Sequence, residues 1–382
     1  MDLRLTSDQI TLRDKAADFA NRVRPAFEDD PAWRRQGILS DGDSREVTLE
    51  LGRAGWIGMT WPEELGGRGL SHVDAALVEE VFGYHWLPLS LYLLSYKTVG
   101  CALERFGSRE LQERLLPPIA RGELTFCQGF SEPGAGSDLA SLTTRATLRG
   151  DRFVVAGHKL WTSSAWLADW IYLAVRTDAA GPSRHRGISV LVAPIDTPGI
   201  EVRRFPVLGG GYLCEVFLDG VEIPSANLVG ELDHGWDVLM HTLDFERITA
   251  EKLGGLRWVI DGLELRLAET AQLDAVWKDV GSIRGELAAA RLLSLRAADL
   301  LDRGEPASAA SAMAKLAGAR LAQRLAVAAV ELLGLEGLTD GDPEAPLEGR
   351  AGALYRACVG STISGGAAEI QQLVIARRGL GL

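Results

Sequence analysis

Apolar positions recur with two different periods along the chain, and the period switches twice. Through residues 1–123 the spacing is helical. Thr6-Ser-Asp-Gln9 fits a capping box, and Ile10, Phe19 and Val23 lie in the amphipathic stretch after it, which Pro25 ends. Further helices are expected around 45–54, 71–84, 90–106 and 108–120, separated by Gly- and Pro-bearing turns such as Pro62-Glu-Glu-Leu-Gly-Gly67. The apolar run 87–94 reads as core helix. From about 124 to 233 the pattern becomes that of short strands. Segments 143–148 and 152–155 alternate around Gly150-Asp151 as a hairpin, and 170–175, 188–193, 200–204 and 214–218 are further β-rich stretches. After Gly235 the helical period returns. Ile283, Leu287, Ala290, Leu293 and Ala297 share one face, and the alanine-rich 308–333 stretch follows the turn at Gly304-Glu-Pro306. Residues 337–349 read as an exposed connection. The expected class is α+β, with a helical domain over 1–123, a β-domain over 124–233 and a helical domain over 234–382.

Composition narrows the function. The chain has 382 residues, 47% apolar and 24% charged, as in a folded globular protein. A net charge of −12 disfavours nucleic acid or an anionic membrane as a general partner. Cys101, Cys127, Cys214 and Cys358 form no CxxC pair, and the histidines show no ligand spacing, so no metal site is expected. No apolar run approaches the ~18 residues that suggest a membrane span, and the N-terminus lacks a targeting pattern. A cytoplasmic location is expected.

Four stretches carry candidate chemistry. In Phe130-Ser-Glu-Pro-Gly-Ala-Gly-Ser-Asp138 the two glycines permit a turn with converging N–H groups, so the loop reads either as a cradle for a phosphate or polar ring edge or as an ordinary surface turn. Within 236–250, Trp236, Leu239, Met240 and Leu243 form an apolar stripe, and Glu246 and Arg247 fall on or beside it. Charges on a helix's inward side are costly unless paired or facing a polar cavity. They read as buried salt bridges or as a base with a cation for an anionic ligand. Trp161-Thr-Ser163, just beyond a predicted strand, is either a strand end or a ring stacked on a planar cofactor. Gly365-Gly366 precedes a helix ending in Arg377-Arg378, and reads as a helix cap or an anion-receiving terminus. There is no GxGxxG after a strand, no GxxxxGK[ST] and no GxSxG.

Together these segments resemble the acyl-CoA dehydrogenase family, in order and along nearly the whole chain. The 130–138 loop is similar to the family's flavin-cradling signature, and His158-Lys-Leu-Trp-Thr-Ser-Ser164 to its second flavin segment. Val216-Phe-Leu-Asp-Gly-Val-Glu-Ile-Pro224 with Asn227-Leu-Val-Gly230, Leu243-Asp-Phe-Glu-Arg247, Glu331-Leu-Leu-Gly334 and Gly365-Gly-Ala-Ala-Glu-Ile-Gln371 follow in family order. The resemblance implies a central β-barrel or sandwich, a C-terminal four-helix bundle, and FAD bound at a subunit interface of a homodimer or homotetramer. It implies α,β-dehydrogenation of an acyl-CoA to the trans-2-enoyl-CoA, with flavin N5 accepting hydride and electrons passing to an electron-transfer flavoprotein. Carried over residue by residue, Ser131 bonds the flavin ring, Ser137 lies by the phosphates and thioester end, Trp161 stacks near the ring and Ser163 sits by N5. Phe130, Gly136, Glu331, Gly334 and Glu369 complete the cofactor positions, and Asp244 and Arg247 match CoA contacts.

Three slots depart from the family pattern. Many members carry the base in a Glu-Gly-Thr pattern whose glutamate slot is Gly365 here; a minority place it immediately before the helix arginine, which is Glu246. Glu246 is therefore the expected base. The Arg-x-x-Phe-Gly segment that reaches a partner subunit's FAD is replaced by Gln272-Leu-Asp-Ala-Val276, and Ala367 and Ala368 stand where a hydroxyl is expected after Gly366. Similar losses occur in bacterial relatives built from unlike subunits. The alternatives are thus one half of such a heteromer, completing a partner's FAD site, or a flavin oxidase or monooxygenase relative.

Overall fold

A computed structural model of the chain describes residues 4–27, 44–178, 183–270, 274–339 and 342–382. Helix α1 (Ser7–Val23) begins at the expected capping box, Thr6 accepting from Gln9 N and the Gln9 side chain from Thr6 N. It buries Ala16, Phe19, Ala20 and Val23. Ile10, in the same amphipathic stretch, is exposed, because nine residues at about 100° each set it opposite Phe19. Helices α2 (Arg45–Arg53), α3 (His72–Tyr84) and α5 (Arg109–Ala120) start at Ser44, Ser71 and Ser108, each of which accepts a backbone N–H from the first turn. Helix α4 runs from Ser90 through a π-helical stretch, Leu93–Gly100, to Phe106. The start of the apolar run 87–94 precedes this helix instead of forming part of it.

Strands β1 (Phe126–Gly129), β2 (Arg145–Arg149), β3 (Arg152–Ser163), β4 (Trp170–Arg176), β5 (Ile188–Pro194), β6 (Ile200–Pro206), β7 (Tyr212–Pro224) and β8 (Leu228–Val229) form one sheet in the order 6-7-3-2-4-5-8, with β1 parallel to β4. β4 and β5 read as unbroken apolar runs because both of their faces are covered. Tyr172, Ala174, Val190 and Val192 point into a core shared with the helices, while Ile171, Leu173, Val175 and Leu191 join a second core with Phe153, Val155 and Val216. The hairpin at Gly150-Asp151 pairs β2 with β3 as expected. β3 is longer than the sequence pattern suggests, and its register against β7 shifts between Val155 and Gly157 and again between Lys159 and Thr162.

Helices α6 (Gly235–Glu246), α7 (Ala250–Thr270), α8 (Asp274–Asp302), α9 (Ser308–Leu333), α10 (Ala351–Ser361) and α11 (Ala368–Val374) complete the fold, α11 continuing as a π turn to Gly379. The larger core joins both ends of the chain, from Phe19, Val78 and Leu115 to Leu256, Leu325 and Leu354. Helices α3 and α7 meet backbone to backbone. A Cβ on Gly83 stands 1.7 Å from Glu251 O, and one on Gly254 stands 2.0 Å from Glu80 O, so only glycine fits at either position. This crossing anchors the segment that follows α6. Among the described residues no helix is long and apolar enough to cross a membrane.

Candidate active site

The break between α6 and α7 sets the centre of the site. α6 stops at Glu246, and Arg247 N closes on Leu243 O before α7 begins at Ala250. A carboxylate at a helix C-terminus opposes the helix dipole, so its place there calls for a use. Glu246 Oε2 is buried with no hydrogen-bond partner. Burial pushes its carboxyl above the ordinary range, against the pull of Lys252, Arg247, the Gln128 side chain and Lys315. Arg247 is 5% exposed, donates from Nη1 to Asp244 Oδ1 at 3.1 Å, and leaves Nε buried without a partner. Asp244 Oδ2 accepts from Ser308 Oγ at 2.5 Å, and Arg378 Nη1 donates to the same hydroxyl at 2.9 Å. Burial raises the Asp244 carboxyl in spite of Ser308 and the two arginines.

The glycine pair before α11 faces this corner. Gly365 and Gly366 have φ of +63° and +94°. A Cβ on Gly365 would lie 3.2 Å from Glu246 Oε1, and one on Gly366 would lie 2.5 Å from Gln371 Nε2. The slot where many relatives carry a glutamate thus opens onto the space that the Glu246 carboxylate fills. Gln371, fully buried, donates to both glycine carbonyls at 3.0 Å. Lys315 Nζ donates to Gly366 O at 2.7 Å.

The 130–138 loop is built on a buried ion pair. Glu132 and Ala135 exchange backbone hydrogen bonds in a tight turn, and the Glu132 carboxylate accepts from Thr143 N, Thr143 Oγ1, Thr144 N and Lys159 Nζ, all within 2.9 Å. Burial would raise this carboxyl, but Lys159 and the threonine donors bring it down to about 2. Lys159, fully buried in β3, also donates to Phe130 O. Ser131 O accepts from Leu160 N at 2.9 Å, which ties the loop to the strand bearing Trp161. Gly136 and Ser137 are exposed at its tip, and a Cβ on Gly136 would meet nothing within 4 Å. Phe130 is buried against Tyr172, whose hydroxyl lies 3.1 Å from Thr242 Oγ1 on α6.

Trp161 lies inside β3, not beyond it. The strand continues to Ser163 by way of the second register shift, which leaves Trp161 with φ +63° and its ring 56% exposed against the edge of Phe205. Ser163 is half-buried. Glu331 and Gly334 sit exposed at the C-terminal end of α9, and Glu369 is exposed in the first turn of α11. The side chains of 272–276 lie outside the described residues.

The structure therefore brings Glu246, Arg247 and Asp244 together with the Gly365-Gly366 turn. Sequence reasoning missed Gln128, Glu132, Lys159, Lys315 and Gln371. Lys315 had a legible signal: with Ser308 and Ser311 it makes a polar i, i+3, i+7 stripe on a helix otherwise rich in alanine, and all three are buried.

Comparisons with known proteins identify the family. Residues 6–123, 127–221 and 233–380 match the N-terminal, middle and C-terminal domains of acyl-CoA dehydrogenase. The chain is 34% identical over 354 residues to the acyl-CoA dehydrogenase FadE26 of Mycobacterium tuberculosis, covering 88% of each. Among solved structures it resembles the Tcur3481-Tcur3483 steroid ACAD, at TM-score 0.91 and 32% identity over 100% of this chain and 99% of that one. It also resembles the ChsE4-ChsE5 complex of Mycobacterium tuberculosis, at TM-score 0.88 and 29% identity over 100% and 99%.

Proposed function

The chain belongs to the acyl-CoA dehydrogenase family, oxidoreductases acting on CH–CH bonds, and from that premise we propose that it oxidises an acyl-CoA thioester to the trans-2-enoyl-CoA with Glu246 as the α-proton base. The observation that carries the reading is the buried, unpartnered Glu246 Oε2 beside the open Gly365 slot. A base in a water-poor pocket with a raised pKa is a stronger proton acceptor once ionised. Glu246 takes the α-proton, and negative charge grows on the thioester oxygen. Lys315 and Gln371 already hold the glycine carbonyls. We therefore assign the N–H groups of the Gly365-Gly366 turn as donors to that oxygen. Arg247 and Asp244 are the proposed CoA contacts.

The family implies FAD, and this chain's residues fit it. The tip of the 130–138 loop is open above Gly136, and the exposed Trp161 ring is held out by a strained backbone. Ser131, Ser137, Trp161 and Ser163 are the residues proposed to hold it, with Phe130 supporting the loop from the core and Gly136, Glu331, Gly334 and Glu369 as the further proposed cofactor positions. Bound FAD supplies the hydride acceptor for the β-hydrogen. Resemblance to a steroid ACAD makes steroid-bearing acyl-CoAs the first substrates to screen, beside short, branched and long chains. The test is anaerobic bleaching of the flavin by that panel. Reoxidation by an electron-transfer flavoprotein but not by air supports the dehydrogenase over an oxidase; rapid reoxidation by air reverses that choice. No bleaching by any acyl-CoA overturns the reading.

A second reading, a heteromer of unlike subunits, is favoured by the missing Arg-x-x-Phe-Gly pattern at 272–276. Losing one charged phosphate contact costs ~1.5–3 kcal/mol, or about 10–150-fold in affinity. The chain purified alone is then expected to hold well under one FAD per subunit, and to fill when co-expressed with a related chain. Full occupancy in a homo-oligomer returns the choice to a homodimer or homotetramer.

A further inference from the structure

Lys315 is 6% exposed on α9, and its hydrogen bond goes to the backbone of the glycine turn. Its Nζ holds Gly366 O at 2.7 Å, so a lysine from the bundle fixes the turn that faces Glu246 Oε1. Two glycines at positive φ have wide conformational freedom. Gln371 holds the turn from the α11 side, and Lys315 is the only charged donor to it among the described hydrogen bonds. We infer that Lys315 is a positioning residue for the reaction: its ammonium locks the Gly365-Gly366 turn against Glu246, so that the turn's donors meet the substrate at the geometry of charge development.

The inference rests on the Glu246 reading but has its own signature. The charged groups facing Lys315 are Lys252 on α7, Glu246 and Arg247 at the end of α6, and Glu369 on α11. Burial, then Lys252, lowers the ammonium to about 8, with Glu246 pulling the other way. The charge is present below that pH and is lost as pH rises through it, so bleaching by substrate falls along an alkaline limb.

The experiment compares K315M and K315R in the flavin-loaded, full-length protein, or in the complex if a partner chain is needed to load it. K315M is expected to slow anaerobic bleaching ~10²-fold, a loss of the size seen when one oriented donor is removed. Binding of a non-reacting acyl-CoA analogue, measured by calorimetry, stays within about threefold, because donors that act on developing charge contribute little to ground-state affinity. K315R restores most of the rate and moves the alkaline limb upward, since a guanidinium does not titrate in this range. K315M bleaching at the wild-type rate with an unchanged pH profile overturns the inference. So does a rate loss that K315R fails to restore and that tracks a lowered melting temperature. E246Q run alongside separates the two readings: if it still bleaches, the base assignment falls, whereas the Lys315 result is read from its own limb and its own rescue.

Discussion

Glu246→Gln is expected to abolish bleaching by acyl-CoA while leaving the flavin bound and yellow. A positioned general base contributes ~10²–10⁴ in rate, and no other carboxylate replaces it: the Gly365 slot has no side chain, and Asp244 is engaged with Arg247 and Ser308. The amide keeps the shape and removes only the basic oxygen. Stability should move the other way. Burial raises the Glu246 carboxyl in the folded chain, so the folded state binds a proton more tightly than the unfolded one. The ionised group therefore weakens the fold increasingly as pH rises from the unfolded pKa through the raised folded value. Glutamine removes that cost. The variant should melt no lower than wild type at pH 8, and the two should converge near pH 4. Exchange of the substrate α-hydrogen with deuterated water provides a direct check on the assigned atom. A variant that still bleaches within about tenfold of wild type, against the drop expected of a lost base, removes Glu246 from the role.

The elements legible in the sequence were those whose signal is local. Capping at Thr6 and the Gly150-Asp151 hairpin need only neighbouring residues, and both form as expected. The inward placement of Glu246 and Arg247 followed from the helical period of α6 alone. β3 was underestimated because its second half, from His158 to Ser163, carries polar residues and a register shift, which break the alternation a strand normally shows. Ile10 shows that an apolar residue near a helix start need not share the phase of the buried stripe. Buried charges were the least legible class. Lys159 pairs with Glu132 across 27 positions and Lys97 with Glu251 across 154, so each reads alone as an ordinary surface lysine. Only the fold brings the partner carboxylates to them. The same holds for Lys315, whose acceptor is a backbone carbonyl 51 residues away.

Lys97→Met is expected to produce the largest loss of stability of any single change considered, and to do so in a pH-dependent way. Lys97 lies in the π-helical stretch of α4, 6% exposed. Its Nζ reaches Glu79 Oε2 at 2.7 Å, Glu251 Oε2 at 3.2 Å and the carbonyl of Ile248, two residues beyond Glu246. One ammonium thus holds two buried carboxylates and the break between α6 and α7. Burial pushes the ammonium down, and Glu251 and Glu79 more than reverse that, leaving it above its ordinary value. Burial raises Glu79 to about 7 even with Lys97 present. Removing the cation leaves two buried carboxylates facing each other, and breaking a buried pair in this way costs ~3–5 kcal/mol. Without Lys97 the Glu79 carboxyl rises further above its unfolded value. The folded variant then binds its proton more tightly; wild type and variant lose this term alike up to about 7, and the deficit opens as pH rises beyond it. The variant should lie closest to wild type near pH 5 and furthest from it near pH 8, and adding Glu79→Gln should recover part of the loss at the higher pH. Hydrogen exchange locates the damage: protection should fall first around Ile248 and along the Gly83–Gly254 crossing, where the backbones touch and no side chain cushions the joint. Equal deficits at pH 5 and pH 8, or no gain from the second substitution, exclude the unpaired carboxylates as the cause. Because Ile248 directly follows Glu246 and Arg247, the rate of bleaching should fall with local protection even where the chain remains folded.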